Sequence, residues 1–215
     1  MPLSSAIRPG AADALLVIDV QNDFVPGGRL AVPDGQAVVP LVNRLARHFA
    51  TVIATQDWHP PGHASFASSH PGRAPFATIP LPYGPQVLWP DHCVQGTDGA
   101  AFVAGLDIPH AVLVLRKGYR PAVDSYSAFN EADRTPTGLA GYLRERGIGR
   151  VFLAGLATDF CVGFSAIDAR GAGFAAVVIE DACRAIDADG SLAKAWQAMA
   201  AAGVARCRAA DITGT

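Results

Sequence analysis

The sequence predicts an α/β protein with three layers, α/β/α, around a central, mostly parallel sheet of about six strands. Short apolar runs, typical of strands buried on both faces, recur along the chain. Segments whose apolar residues are spaced by three and four lie between these runs and predict helices. Half of the 215 residues are hydrophobic. That length is enough for one core and short for two, so we expect a single domain over residues 1–215.

The first predicted strand covers residues 14–18 and ends at Asp19. The other strand candidates are, in chain order, residues 51–54, 111–115, 151–154 and 175–179, with a weaker last candidate at 204–206. The helix candidates between them are residues 38–49, 139–146, 159–169 and 192–201. Strands that alternate with helices in this way form open parallel sheets with helices on both faces.

One long stretch, residues 60–109, interrupts this alternation. It is rich in Pro, Gly, Ser and His, and it is far longer than the usual connection of about 4–6 residues. Apolar side chains such as Phe66 and Trp89 would anchor it, which argues against disorder. We therefore expect an ordered excursion over one end of the sheet, with a short helix near residues 100–104.

Composition excludes several classes of protein. Seventeen Lys and Arg against nineteen Asp and Glu give a net charge of −2, without the basic stripe that nucleic-acid binding requires. No apolar run approaches the roughly 20 residues that a bilayer demands, and the start lacks a signal-peptide pattern. Four dispersed cysteines without a CxxC pair favour reduced thiols and a cytoplasmic protein. We therefore expect neither a nucleic-acid nor a membrane partner, and a homo-oligomer stays open.

Charged and small residues follow the predicted strands at the edge where parallel α/β sheets carry their sites. Asp19 follows the first strand, Asp57 the second, Lys117 the third, and the small-residue turn at 155–158 the fourth. Each charged residue alone could be a helix cap or a solvated strand end. As a group they predict a functional site at this edge.

Cys161 follows the turn at 155–158 and would lie in the first turn of the next helix. Free N–H groups and the helix dipole there favour a thiolate and could hold the oxyanion formed when it attacks a carbonyl. Asp19 could accept the thiol proton, and Lys117 could stabilise the thiolate. The alternatives are that Cys161 is only a small buried side chain, and that Asp19 and Lys117 form a purely structural ion pair.

A second group of residues surrounds the long loop. Asp57 and His59 are two apart, so in an extended segment both side chains point to the same side. With His92, and possibly with His63 as well, they would form a set of imidazoles and one carboxylate that suits Zn, Fe or Mn. A histidine beside Pro or Gly in a loop can equally be a surface residue. These residues mark a metal-site and pocket loop at about residues 57–109.

Five segments together resemble the motifs of nicotinamidases, also called pyrazinamidases, within the isochorismatase-like cysteine hydrolase superfamily. They are VIDVQNDF at 17–24, QDWHP at 56–60, WPDHC at 89–93, RKG at 116–118 and GLATDFCV at 155–162. The resemblance runs in order over nearly the whole chain and implies the Rossmann-like fold of that superfamily. The Asp, Lys and Cys motifs mark the superfamily, and the two histidine motifs mark its metal-containing nicotinamidase branch.

The resemblance implies specific roles. The family's catalytic triad falls on Asp19, Lys117 and Cys161. Its oxyanion hole falls on the backbone N–H groups of Ala157 and Cys161, beside a cis peptide bond between Leu156 and Ala157. Its single divalent metal ion would be held by Asp57, His59 and His92, with His63 as a further ligand or water-linked neighbour. Its substrate pocket falls on Phe24, Trp89, Tyr126 and Leu156, for which ordinary core packing is the alternative.

The implied reaction is hydrolysis of nicotinamide, and also of pyrazinamide, to the acid and ammonia through a cysteine thioester, in NAD salvage. Alternatives are an amidase of carbamoyl or ureido compounds, an isochorismatase-type vinyl ether hydrolase, a metal-activated water with Cys161 structural, and a non-catalytic metal-binding module. The metal residues argue against the isochorismatase reading. Roles for Asp34, His70 and Cys93 stay open.

Overall fold

A computed structural model describes residues 6–213. Its centre is a sheet of six strands: β1 (Asp13–Ile18), β2 (Thr51–Asp57), β5 (Leu113–Lys117), β6 (Arg150–Leu156), β7 (Ala175–Arg184) and β8 (Ala205–Cys207). A separate antiparallel hairpin is formed by β3 (Thr78–Leu81) and β4 (Gly84–Val87). Every pairing in the central sheet is parallel, which confirms the predicted fold class.

The strand order in the sheet is β5-β2-β1-β6-β7-β8. From β1 the chain first builds outwards through β2 and β5, and it then returns to build the other half from β6. The order therefore reverses between β1 and β6, and a crevice opens at the carboxyl ends of these two strands. This edge is where the sequence places Asp19 and Cys161.

Helices cover both faces of the sheet. Every residue of β1 is therefore buried, although successive side chains point to opposite faces. Leu15 and Val17 share one core cluster with α1 (Val38–Ala46). Leu16 and Ile18 share the other with residues of the remaining helices. These are α2 (Leu139–Glu145), α3 (Gly163–Gly171) and α4 (Ser191–Ala201).

The long loop is ordered, as expected, but its internal structure differs from the prediction. It contains the β3–β4 hairpin, and the helical turn near its end is a 3-10 turn at Asp98–Ala100 instead of a helix near residues 100–104. The physical reason is pairing with the segment after β1. Phe102 bridges Gln21, and the Val103 N–H donates to the Val20 carbonyl at 3.1 Å. Residues that extend to make these bonds are not available for a helix.

β7 is five residues longer than the apolar run at 175–179. The polar residues Glu180 and Asp181 end that run, but pairing with β6 resumes after an irregularity, where Gly155 lies opposite Cys183. Hydropathy alone therefore ended the predicted strand too early.

Two further observations concern the chain as a whole. All four cysteines are buried and free of disulfides, in agreement with the expected reduced thiols. Among residues 6–213, no helix has the length and apolar character needed to cross a membrane.

Candidate active site

Lys117, the last residue of β5, is completely buried at the crevice. Its Nζ lies 2.8 Å from Asp19 Oδ2 and 3.3 Å from Cys161 Sγ. It also donates to the Ser125 carbonyl at 3.0 Å and contacts Asp57 Oδ1. Burial opposes its charge, but the carboxylates of Asp19 and Asp57 hold its pKa well above the usual range. The structure thus brings the three predicted catalytic side chains into one group around a buried cation.

Asp19 directly follows β1 and is also completely buried. The Thr55 hydroxyl donates to its Oδ1, and the Asp19 N–H donates back to Thr55 Oγ1 at 3.1 Å. Burial raises the pKa of the Asp19 carboxyl, although Lys117 opposes this. A carboxylate with a raised pKa is a better proton acceptor, which suits a general base.

Cys161 lies in the turn Thr158–Val162 that leads directly into α3. Its position at the start of this helical segment agrees with the prediction. Burial raises the pKa of the Cys161 thiol well above its usual range, and the carboxylates of Asp19 and Asp57 add to this, while Lys117 opposes it. Burial therefore opposes the thiolate that the start of the helix and the Lys117 ammonium favour. The thiol needs a nearby base.

Asp57, His59 and His92 converge on the other side of the crevice, with one ligand atom from each within 4.8 Å of the others. Asp57 Oδ2 is 3.7 Å from His59 Nε2 and 3.8 Å from His92 Nε2. These separations are too long for hydrogen bonds. Asp57 is also the register partner of Lys117 across β2 and β5, so one carboxylate joins the two groups.

The surroundings of both imidazoles fit a cation. His59 Nδ1 faces the Gly118 carbonyl at 2.9 Å, and His92 Nδ1 faces the Pro90 carbonyl at 2.8 Å. A carbonyl can only accept, so each Nδ1 carries the proton and each Nε2 keeps its lone pair for a metal. Gly118 permits this approach, since it has φ +64° and a Cβ there would lie 2.5 Å from the His59 ring.

His63 stacks beside His59, with ring centroids 4.4 Å apart, but it does not join the group formed by Asp57, His59 and His92. Its Nδ1 is 2.8 Å from Ser65 Oγ, and its Nε2 is 2.9 Å from the Arg120 carbonyl. Both ring nitrogens are therefore engaged by the protein itself.

A pocket lies between the two groups. The residues that line it are Phe24, Leu30, Asp57, His59, Trp89, His92, Asp124, Tyr126, Ala157, Phe160, Cys161 and Ile186. Phe24, Trp89 and Tyr126 lie in the pocket, where they were expected from the sequence. Leu156 was expected there as well, but it does not line the pocket. The Leu156 side chain is fully buried in the core cluster on the α1 face of the sheet. Leu156 is the last residue of β6 and packs into this core, whereas Ala157, the next residue, lines the pocket.

The backbone beside the nucleophile leaves the Ala157 N–H free for an oxyanion. The peptide bond between Leu156 and Ala157 is cis. The N–H groups of Phe160 and Val162 both donate to the Ala157 carbonyl at 3.1 Å. The Ala157 N–H itself has no acceptor within residues 6–213. Ala157 and Cys161 both line the pocket.

Several residues of this site were missed by sequence reasoning. Gln21 accepts from the Asp57 N–H at 2.8 Å and donates to the Asp57 carbonyl at 2.9 Å. Phe160 lines the pocket. Both residues lie inside quoted motifs and could have been found there. Thr55 and Asp124 carry no spacing signal and become visible only in three dimensions.

The sequence and fold were compared with known proteins. Residues 13–211 match the family model described as the Isochorismatase domain. A nicotinamidase of Acinetobacter baylyi is 58% identical over 200 residues, covering 93% of this chain and 94% of the relative. A nicotinamidase of Escherichia coli is 44% identical over 204 residues, covering 92% of this chain and 95% of the relative.

Solved structures agree with these matches. A nicotinamidase/pyrazinamidase of Acinetobacter baumanii superposes with a TM-score of 0.93 at 56% identity, covering 94% of this chain and 98% of that one. A protein of L. infantum in complex with nicotinate has a TM-score of 0.86 at 38% identity, covering 98% and 100%. A pyrazinamidase of Pyrococcus horikoshii in complex with zinc has a TM-score of 0.75 at 34% identity, covering 92% and 99%. This chain belongs to the isochorismatase domain family, and both sequence relatives described above are nicotinamidases.

Proposed function

We propose that this protein is a nicotinamidase that hydrolyses nicotinamide to nicotinate and ammonia in NAD salvage, and that it also accepts pyrazinamide. The observation that carries the proposal is the contact between Asp19, Lys117 and Cys161 at one end of a pocket whose other end holds two imidazoles and a carboxylate. The named relatives of this chain support the same substrate. Four free thiols favour a cytoplasmic location.

The first half of the reaction makes a thioester. Asp19 takes the proton of the Cys161 thiol, and the sulfur attacks the carboxamide carbon. The N–H groups of Ala157 and Cys161 hold the oxygen as it becomes negative. Asp19 then gives the proton to the amide nitrogen, the C–N bond breaks, and ammonia leaves. Lys117 compensates the negative charge of Asp19 and Cys161 throughout.

The second half releases the acid. Asp19 takes a proton from water, the resulting hydroxide attacks the thioester carbon, and the same two N–H groups hold the oxygen again. The C–S bond breaks, nicotinic acid leaves and ionises to nicotinate in water, and the proton held by Asp19 returns to the sulfur. One water is consumed and one ammonia is released in each cycle, and all four proton transfers use the Asp19 carboxyl group.

Asp57, His59 and His92 would hold one divalent transition metal ion, and zinc is the ion we favour among Zn, Fe and Mn. A pyrazinamidase relative solved with zinc supports that choice. When bound, the ion supplies a Lewis-acidic position for the pyridine nitrogen of the substrate. Phe24 and Trp89 would sandwich the ring, which places the carboxamide over Cys161. His63 supports His59 by ring contact and would not itself be a ligand.

The activity is tested by measuring ammonia and nicotinate from nicotinamide with purified, metal-loaded protein. Benzamide, which lacks the ring nitrogen, and a ureido compound serve as comparison substrates. We expect nicotinamide to be preferred strongly over both. Preference for the ureido compound, or silence with nicotinamide, would overturn the proposal.

The metal site is tested by replacing His92 with Ala. We expect about one transition metal ion per chain in the wild type, and loss of most of it in His92→Ala, together with a raised KM for nicotinamide. His110→Ala is the control, because His110 is exposed and its ring hydrogen-bonds to the Ala46 carbonyl, far along the chain from the metal-site residues. Full metal content in purified His92→Ala would contradict the assignment.

A further inference from the structure

Gln86 lies on β4 of the hairpin, outside every motif of the sequence, and yet its side chain is buried, with 2% of the residue exposed. The hairpin itself is peripheral and pairs only with itself. A buried amide on such an element must find hydrogen-bond partners elsewhere. Two of the four partners of Gln86, Asp124 and Tyr126, lie in the segment after β5 and line the pocket.

The Gln86 amide is saturated by its neighbours. Its Nε2 is 2.7 Å from Asp124 Oδ2 and 3.2 Å from the Tyr126 hydroxyl, to both of which it can donate. The Val87 carbonyl lies 2.7 Å from the same nitrogen. The Tyr83 hydroxyl donates to Gln86 Oε1 at 3.0 Å. The amide thus bridges the hairpin to two pocket residues.

The Tyr126 hydroxyl continues the network into the pocket wall, because it also accepts from Trp89 Nε1 at 2.9 Å. Trp89 and Tyr126 both pack edge-on against Phe160, with ring centroids 4.8 Å and 5.6 Å away. These three rings form the aromatic wall of the pocket, next to Cys161. Within the described residues, no Lys or Arg forms an ion pair with Asp124, so the Gln86 amide is its main side-chain donor.

We propose that Gln86 is a positioning residue that fixes the aromatic wall of Trp89, Tyr126 and Phe160 for the substrate ring. The proposal rests on the proposed nicotinamidase function and adds a specificity-determining role for the hairpin. A flat substrate ring packs well only when the side chains of the wall keep one orientation. The two hydrogen bonds that the Tyr126 hydroxyl accepts, from Gln86 and Trp89, set that orientation. Loss of the amide therefore weakens substrate binding more than it slows the chemical step, which Asp19, Lys117 and Cys161 carry.

The test uses two variants of the full, metal-loaded protein. Gln86→Met keeps the length of the side chain and removes both donors and the acceptor, and Gln86→Glu keeps the shape and removes the donors. We expect each to raise KM for nicotinamide about tenfold or more, with kcat within about threefold of the wild type. Tyr83→Phe is the matched control, since it removes only the outer hydrogen bond, and its KM should stay near the wild-type value.

A second readout follows the wall without turnover. The protein has three tryptophans, and the indole N–H resonance of Trp89 in a ¹H–¹⁵N spectrum reports its bond to the Tyr126 hydroxyl. We expect that resonance, assigned with Trp89→Phe, to move in Gln86→Met and Gln86→Glu and to stay in place in Tyr83→Phe. The resonances of Trp58 and Trp196 serve as internal controls.

If the wild type is active and the folded Gln86 variants keep the wild-type KM, whether or not kcat falls, the inference is overturned and the proposed function stays intact. A wild type inactive on nicotinamide would instead overturn the proposed function. The Trp89 resonance then decides the inference by itself, since a stationary signal in both Gln86 variants would refute control of the wall by Gln86.

Discussion

At the scale of single residues, the site is organised by one buried charge. The Lys117 ammonium contacts the proposed base, the proposed nucleophile and a proposed metal ligand. Burying a cation is unfavourable unless several partners compensate it. Lys117 meets that condition with two carboxylates and a carbonyl. The same contacts that keep the lysine charged also bring Asp19 and Cys161 together.

Replacing Lys117 by Met is expected to damage both stability and activity. It leaves the carboxylates of Asp19 and Asp57 buried without their shared cation, which costs about 3–5 kcal/mol of unfolding free energy. Turnover of nicotinamide should fall about a thousandfold or more. Lys194→Met is the control, because Lys194 is exposed on α4, and it should change stability by less than about 0.5 kcal/mol. Near-normal turnover of folded Lys117→Met would contradict this role.

At the scale of elements, β1 and β6 must pass very close to each other for their carboxyl ends to form the crevice. Gly155 near the end of β6 has φ +128°, and a Cβ there would lie 2.1 Å from the Ile18 carbonyl oxygen. Any side chain would push β6 away from β1, and with it the turn that carries Cys161. The glycine is therefore required by the backbone approach that builds the site.

Gly155→Ala is expected to destabilise the protein by more than about 3 kcal/mol, because strain and overlap add. Gly141→Ala, a glycine in α2 with open space around its Cβ position, is the matched control. It should stabilise the protein by up to about 1 kcal/mol, since Ala favours helix. Chemical denaturation measures both, and effects of equal sign would argue against the close approach.

The elements also show what sequence reasoning could and could not supply. Short, continuous apolar runs predicted the strands, and the residues after them predicted the charges at the strand ends, because burial on both faces leaves a plain hydropathy signal. The β3–β4 hairpin escaped because it has Pro80 opposite Pro85 and a glycine at its turn. Prolines inside a short segment indicate a loop instead of a strand. Thr55 and Asp124 escaped because only tertiary packing gives them partners.

At the scale of the whole molecule, an ion pair joins the two central strands at the end of the sheet opposite the site. Arg150, at the start of β6, donates two hydrogen bonds to Asp13, at the start of β1, at 2.7 and 2.8 Å. Burial opposes the charge of Asp13, but the bonds from Arg150 lower its carboxyl pKa below the model-peptide value of 3.8. The pair joins the central strands at the opposite end from the site.

A lowered pKa fixes the sign of the pH dependence. The stabilisation from Asp13 is fully present above pH 3.8 and is lost as the pH falls through the lower folded-state pKa. Asp13→Asn should lower stability by about 1 kcal/mol at pH 7, a modest value because the guanidinium is partly exposed. The difference should shrink as the pH approaches about 3. Asp107→Asn is the control. It removes an exposed ion pair whose Arg47 Nη2 and Asp107 Oδ2 lie 3.8 Å apart, and it should leave stability unchanged at either pH.

The central claim is that Cys161 attacks the carboxamide while the opposite end of the pocket only holds the ring. The direct test is ammonia release from nicotinamide by metal-loaded wild type and Cys161→Ala, with nicotinate binding and metal content measured on both. We expect the variant to retain metal and nicotinate binding and to lose about four orders of magnitude in kcat. Turnover near the wild-type rate in Cys161→Ala would contradict the account and move the nucleophile elsewhere.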